Sequence, residues 1–151
     1  MDKLQLKKII ERTLKEIDLY SDDAVNLLLG TAAQESGFGE YIRQLNNGPA
    51  LGIFQMEPKT HKDHVEKYLK YKSDLKIKIL KACGVVEFNH AFLEFNLKYA
   101  ICMSRIHYLR KPEALPSSID GMANYWKKHY NTRLGKGTTQ EFIRNFKKHV
   151  L

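Results

Sequence analysis

The chain has 151 residues, 43% of them hydrophobic and 28% charged, which fits a single domain over residues 1–151 with a core that needs no staples. No apolar run approaches the ~20 residues of a membrane span, and the lysine-rich start from Met1 to Lys8 lacks the apolar stretch of a signal peptide. The net charge of +8 favours a polyanionic partner, whether nucleic acid, an anionic membrane surface or an anionic cell wall, without choosing among them.

Most of the chain has helical periodicity. Asp2 can cap a first helix whose apolar positions include Leu6, Ile9, Ile10, Leu14 and Ile17, an i, i+3, i+4 pattern. Ser21 followed by Asp22 and Asp23 is a strong helix start, a hydroxyl cap with acids in the first turn. The helix it opens is apolar nearly all round, from Ala24 to Ala33, and is expected to be central and buried. It should end near Ser36-Gly37, where glycine permits a left-handed stop.

Residues 37–57 carry turn chemistry instead, with Gly37, Gly39, Asn46, Asn47, Gly48, Pro49 and Gly52. Short extended pieces around 41–45 and 51–56 predict a small β-hairpin turning at Asn47-Gly48. Helices then resume. Pro58 suits a first helical turn, and the helix continues from His61 to Leu69. Ser73 can cap a helix that Gly84 stops. Asn89 opens a long helix through Phe92, Phe95, Tyr99, Met103, Ile106 and Leu109. Pro112 and Pro116 bracket a loop, Ser117 or Ser118 caps a helix through Trp126, and residues 131–137 form another loop. Thr138 and Thr139 start a last helix with Phe142, Ile143, Phe146 and Val150. The expected class is mainly α, a helical bundle around a buried central helix with a β-hairpin beside a cleft. Cys83 and Cys102 stand in apolar helical stretches, as buried free thiols do, with a bridge between them left open. His61 and His64 lack a third ligand and are expected at the surface; no metal or cofactor is expected.

Three segments have residues suited to chemistry. Glu35 in Gln34-Glu35-Ser36-Gly37 is a carboxylate closing an apolar helix. Desolvation there raises its pKa and suits it to general acid work near neutral pH. Gly52-Ile53-Phe54-Gln55 offers close backbone approach, apolar surface and an amide that donates and accepts. Tyr125, Trp126 and Tyr130 are aromatics with polar tips that can stack on sugar faces or hydrogen-bond a carboxyl.

Together these segments resemble the lysozyme-like superfamily, in particular soluble lytic transglycosylases and goose-type lysozymes. The family pattern is a Glu-Ser pair ending a helix, then Gly-Leu-Met-Gln with a following proline and threonine, then Ala-Xaa-Tyr-Asn on a later helix. Here Glu35-Ser36, Gly52-Ile53-Phe54-Gln55 with Pro58 and Thr60, and Ala123-Asn124-Tyr125 match it in order over residues 24–131. The chain departs from the pattern at Trp126, where the family has asparagine. The resemblance implies an α+β lysozyme-like fold and cleavage of the β-1,4 bond between N-acetylmuramic acid and N-acetylglucosamine in peptidoglycan. Glu35 would be the catalytic acid and base, with Ser36, Gly52, Ile53, Phe54, Gln55, Tyr125, Trp126 and Tyr130 about the substrate and Tyr125 orienting the acid. The chain also looks like a bacteriophage endolysin or virion lysin. It would be a monomer made in the host cytoplasm and acting on the anionic cell wall, reached through a holin or carried in by the virion.

Glycosidases generally use two carboxylates, about 5–5.5 Å apart for retention or about 6.5–9.5 Å for inversion. Glu40, Glu57 and Asp120 are the candidates for the second, none with a compelling position. A lytic transglycosylase needs none, because its one glutamate serves as acid and then as base. Both outcomes stay open, and so does a non-catalytic wall-binding module. A nucleic-acid partner is not expected, because no recognition helix is evident.

Overall fold

A computed structural model describes residues 1–131 and 135–151. Among them are eight α-helices: α1 (Lys3–Glu16), α2 (Asp22–Ser36), α3 (Pro58–Lys67), α4 (Ser73–Cys83), the single turn α5 (Phe92–Phe95), α6 (Leu97–Leu109), α7 (Ile119–Trp126) and α8 (Thr139–His149). The first caps are local and act as the sequence predicts. Asp2 accepts from the Leu4 and Gln5 amides, Ser21 accepts from Ala24 N–H, and Gly37 ends α2 in the left-handed region.

Helix α2 is the axis of the molecule. All of it from Ala24 to Ala33 except Asn26 is buried, and it packs against α1, α6, α7 and α8. Each fully buried leucine there contributes about 1.5–3 kcal/mol. Close contact with α8 depends on Gly30, because a methyl at that position would lie 2.5 Å from the Phe142 ring and 2.9 Å from that of Phe146. Helix α6 is buried from Tyr99 to Ile106 and closes the other side against α1 and α4. Cys83 of α4 and Cys102 of α6 are both buried free thiols, with their sulfurs 3.8 Å apart.

The structure departs from the expected elements in four places. No strand forms among the described residues. The predicted hairpin is reduced to isolated antiparallel bridges, Arg43 to Leu51 and Leu51 to Met56, with a 3₁₀ turn at Leu45–Asn47. Gln44 N–H already donates to the Ala50 carbonyl and Leu51 turns back to pair with Met56, so each bridge is cut off after a single pair. The long helix expected from Asn89 is broken, because Asn96 caps α6 by accepting from Tyr99 N–H and also donates to the Cys83 carbonyl. Asn89 caps only a turn, through Ala91 N–H. Ser73 lies inside α4 without capping it. His61 and His64, expected at the surface, are buried at 5% and 3% exposure. Part of the loop expected at 131–137 falls on residues 132–134, outside the described residues.

Candidate active site

A cleft of about 1040 Å³ opens at the C-terminal end of α2, and Glu35, Gln55, Glu57, Trp126, Tyr130 and Glu141 are among its lining. Glu35 reaches it because α2 stops one residue later at a left-handed glycine. Its Oε2 accepts a 2.9 Å hydrogen bond from the Trp126 indole N–H. Burial pushes its pKa from the usual 4.5 up to about 7, against the smaller opposing pull of that bond. The carboxyl is therefore about half protonated near neutral pH, as a general acid requires.

The indole is itself held in place. Trp126 is fully buried and tilted against Phe142 at 5.5 Å. Lys127, the next residue, bonds Asn131 Oδ1 and the carbonyls of Gly135 and Gly137 through Nζ. A methyl at Gly137 would sit 2.6 Å from the indole, so Gly137 lies directly on Trp126. The lysine holds Asn131, Gly135 and Gly137, Gly137 covers the indole, and the indole bonds the Glu35 carboxyl.

The predicted site residues divide by where their polar atoms go. Ser36 is 1% exposed; its hydroxyl donates to the Ile53 carbonyl at 2.6 Å and accepts from Gly39 N–H at 2.9 Å. It staples the helix end onto the following turn. Ile53 and Phe54 are buried, and their carbonyls are taken by Ser36 and by the Tyr130 hydroxyl. Those two residues support the cleft from behind. Tyr125 donates to the Glu113 carbonyl, so the orienting role given to it belongs to Trp126. Tyr130 and Gln55 do line the cleft.

Gln55 has φ 49°, and both its backbone N–H and its side-chain amide bond the Gly52 carbonyl. A bulky residue in the left-handed region costs about 1–2 kcal/mol, and strain of that kind gathers at functional sites. Gly52 has φ +80°, and a methyl there would fall 1.9 Å from the Leu93 carbonyl oxygen. The close approach is therefore to the protein's own backbone. Gly52→Ala is expected to lose about 3 kcal/mol or more of stability. An unchanged urea midpoint would show that this contact is absent.

Of the second-carboxylate candidates, Glu57 lines the cleft while Glu40 and Asp120 do not. Glu141 also lines it and was missed, because it falls in the first turn of the helix that Thr138 and Thr139 start. Thr138 does cap α8, accepting from Glu141 N–H.

A chain of histidines runs behind the cleft. Arg110 donates to His64 Nδ1 at 2.9 Å and also binds Asp63; His64 Nε2 lies 3.0 Å from His107 Nδ1; and His107 Nε2 lies 2.6 Å from the His129 carbonyl. Because the guanidinium can only donate and the carbonyl can only accept, both rings are neutral and protonated at Nε2. His107 reaches the cleft wall and packs on Tyr130 at 4.8 Å. His129 turns its ring to Glu113.

Among the described residues no group of three His, Cys, Asp or Glu side chains could hold a metal ion, and no helix is long and apolar enough to cross a membrane. The chain matches no protein-family model, no curated protein and no solved structure.

Proposed function

We propose that the protein cleaves the glycan strands of peptidoglycan at the β-1,4 bond between N-acetylmuramic acid and N-acetylglucosamine, as a lysozyme-like enzyme of the lytic transglycosylase type. The observation that carries this reading is the buried Glu35 carboxyl at the cleft wall, held by Trp126 and with its pKa near 7. Motif order and the predominantly helical fold around α2 support it. The protonated carboxyl gives its proton to the glycosidic oxygen as the bond to C1 breaks. The carboxylate then removes the proton of the C6 hydroxyl, whose oxygen closes on C1 to give a 1,6-anhydro ring. Glu35 ends protonated, ready for the next bond, and no water is consumed. Gln55 and Tyr130 are placed to contact the sugar, and the +8 charge favours approach to an anionic wall.

Glu57 and Glu141 on the same cleft favour a second reading, hydrolysis by a water that one of them activates. Mass spectrometry of products from purified sacculi separates the two. Anhydro-muramyl ends are the expected result, and reducing ends would replace this chemistry with hydrolysis. Release of no muropeptide at any pH or salt would leave a wall-binding module.

A further inference from the structure

A second pocket, of about 390 Å³, lies on the far side of the turn that bounds the cleft, with Gly48 in the wall of both. Its lining pairs opposite charges. Arg43 Nε and Glu94 Oε2 meet at 2.7 Å, with the arginine side chain 76% exposed and the glutamate 24%. Around them are His90, Leu51, Pro49 and the Phe95 ring, which is 69% exposed.

An exposed ion pair is worth only about 0–1 kcal/mol, so opening it costs little. Once opened, it presents a fixed anion and a fixed cation side by side, and guanidinium and carboxylate bind best to partners of opposite charge with matching hydrogen bonds. A zwitterion satisfies both. The exposed aromatic and the prolines add apolar surface for a short aliphatic segment. Gly48 in both linings puts the two pockets side by side, so a branch that leaves the cleft over this turn has the pocket as its nearest concave surface.

Resting on the proposed function, we infer that this pocket holds the peptide stem of the strand being cleaved. The stem branches from the muramic acid lactyl group and carries free carboxylates and, on its diamino residue, a free amine. Arg43 takes a stem carboxylate, Glu94 takes the amine, and Phe95 covers the aliphatic part of the diamino residue. The protein then reads peptide-bearing glycan in preference to bare glycan.

The test has two arms. In the first, a soluble stem tripeptide of L-alanine, D-glutamate and a diamino acid is titrated into the protein and followed by NMR. Resonances of Arg43, Glu94 and Phe95 are expected to shift, and Arg43→Glu to abolish those shifts with the circular dichroism unchanged. In the second arm, intact glycan strands are compared with strands stripped of peptide by an amidase. Intact strands are expected to show about tenfold higher kcat/KM, the equivalent of one good charged contact. Arg43→Glu should remove that advantage through KM and leave turnover of stripped strands as it was. Equal turnover of both substrates with no tripeptide shift overturns the assignment while the glycan-cleaving reading stands. Tripeptide shifts with neither glycan cleaved would sustain the pocket and remove the proposed activity.

Discussion

Replacing Glu35 with glutamine is expected to abolish glycan cleavage and make the protein more stable. Removal of a general acid costs about 10²–10⁴-fold in rate, and in the proposed reaction the same group serves as acid and base, so a loss of at least about 10³-fold is expected in muropeptide release. The stability gain follows from linkage. The folded pKa of about 7 lies above the ordinary 4.5. The protonated carboxyl therefore supports the fold at pH below 4.5, and that support is lost as pH rises through 7. Wild type then carries an ionised group in a desolvated site at a cost of about 1–3 kcal/mol. Glutamine keeps the acceptor for the Trp126 indole N–H without the charge. At about 2–4 °C per kcal/mol for a chain of this size, Tm at pH 8 should rise by about 2–12 °C, and the gain should vanish at pH 4. In wild type the activity should fall as pH rises through about 7. A variant that lyses walls at the wild-type rate would remove Glu35 from the centre of the mechanism, and equal Tm values at pH 8 would mean that the carboxyl is not desolvated.

The second large effect is loss of stability in mild acid. Burial lowers the pKa of His61 and His107 to about 4 and of His64 to about 3, from the ordinary 6.5. Because the folded values are depressed, the unfolded chain binds protons first as pH falls below 6.5. Stability is complete above that value and is lost between 6.5 and about 3–4. At pH 5 each neutral ring costs about 2 kcal/mol, about 6 kcal/mol together. That is comparable with the total stability of a domain, about 5–15 kcal/mol. Geometry gives the same sign. A second proton on His64 would sit at Nδ1 against the Arg110 guanidinium, and one on His107 would face the His64 Nε2–H. Protonation of Glu35 over the same range returns about 2 kcal/mol, so the Glu35→Gln variant should lose stability more steeply. Urea midpoints at pH 7.5, 6 and 5 test this, and ¹⁵N imidazole shifts should report the Nε2–H tautomer at His64 and His107. A midpoint that is flat from pH 7.5 to 5 would contradict neutral buried rings.

How far the sequence carried depended on the reach of each interaction. The limits of α2 were legible because Ser21, Asp22, Asp23 and Gly37 act within a turn of themselves. Glu35 could be singled out for the same reason: an acid on an apolar helix before a glycine is a local pattern. Which of Tyr125, Trp126 and Tyr130 would reach it was not legible, since the hydrogen bond from Trp126 joins positions 91 residues apart. The family pattern pointed to Tyr125, whose hydroxyl turns out to serve Glu113. His61 and His64 misled because their partners, Tyr99 and His107, come from α6, and spacing along α3 carries no trace of them. The hairpin failed beyond its turn, because Leu51 pairs with Met56 as well as with Arg43, a second reversal that the turn residues do not announce.

The long separation between Glu35 and Trp126 also governs timing. Gln34 is tied in the same way to Asn145, 111 residues later. A chain still emerging from the ribosome has α2 and its glutamate long before α7 and α8 exist to enclose them. In that interval Glu35 faces water and titrates like any other carboxylate, below the range in which it can give up a proton at neutral pH. Under the proposed mechanism, copies that end before Trp126 are therefore expected to release no muropeptide.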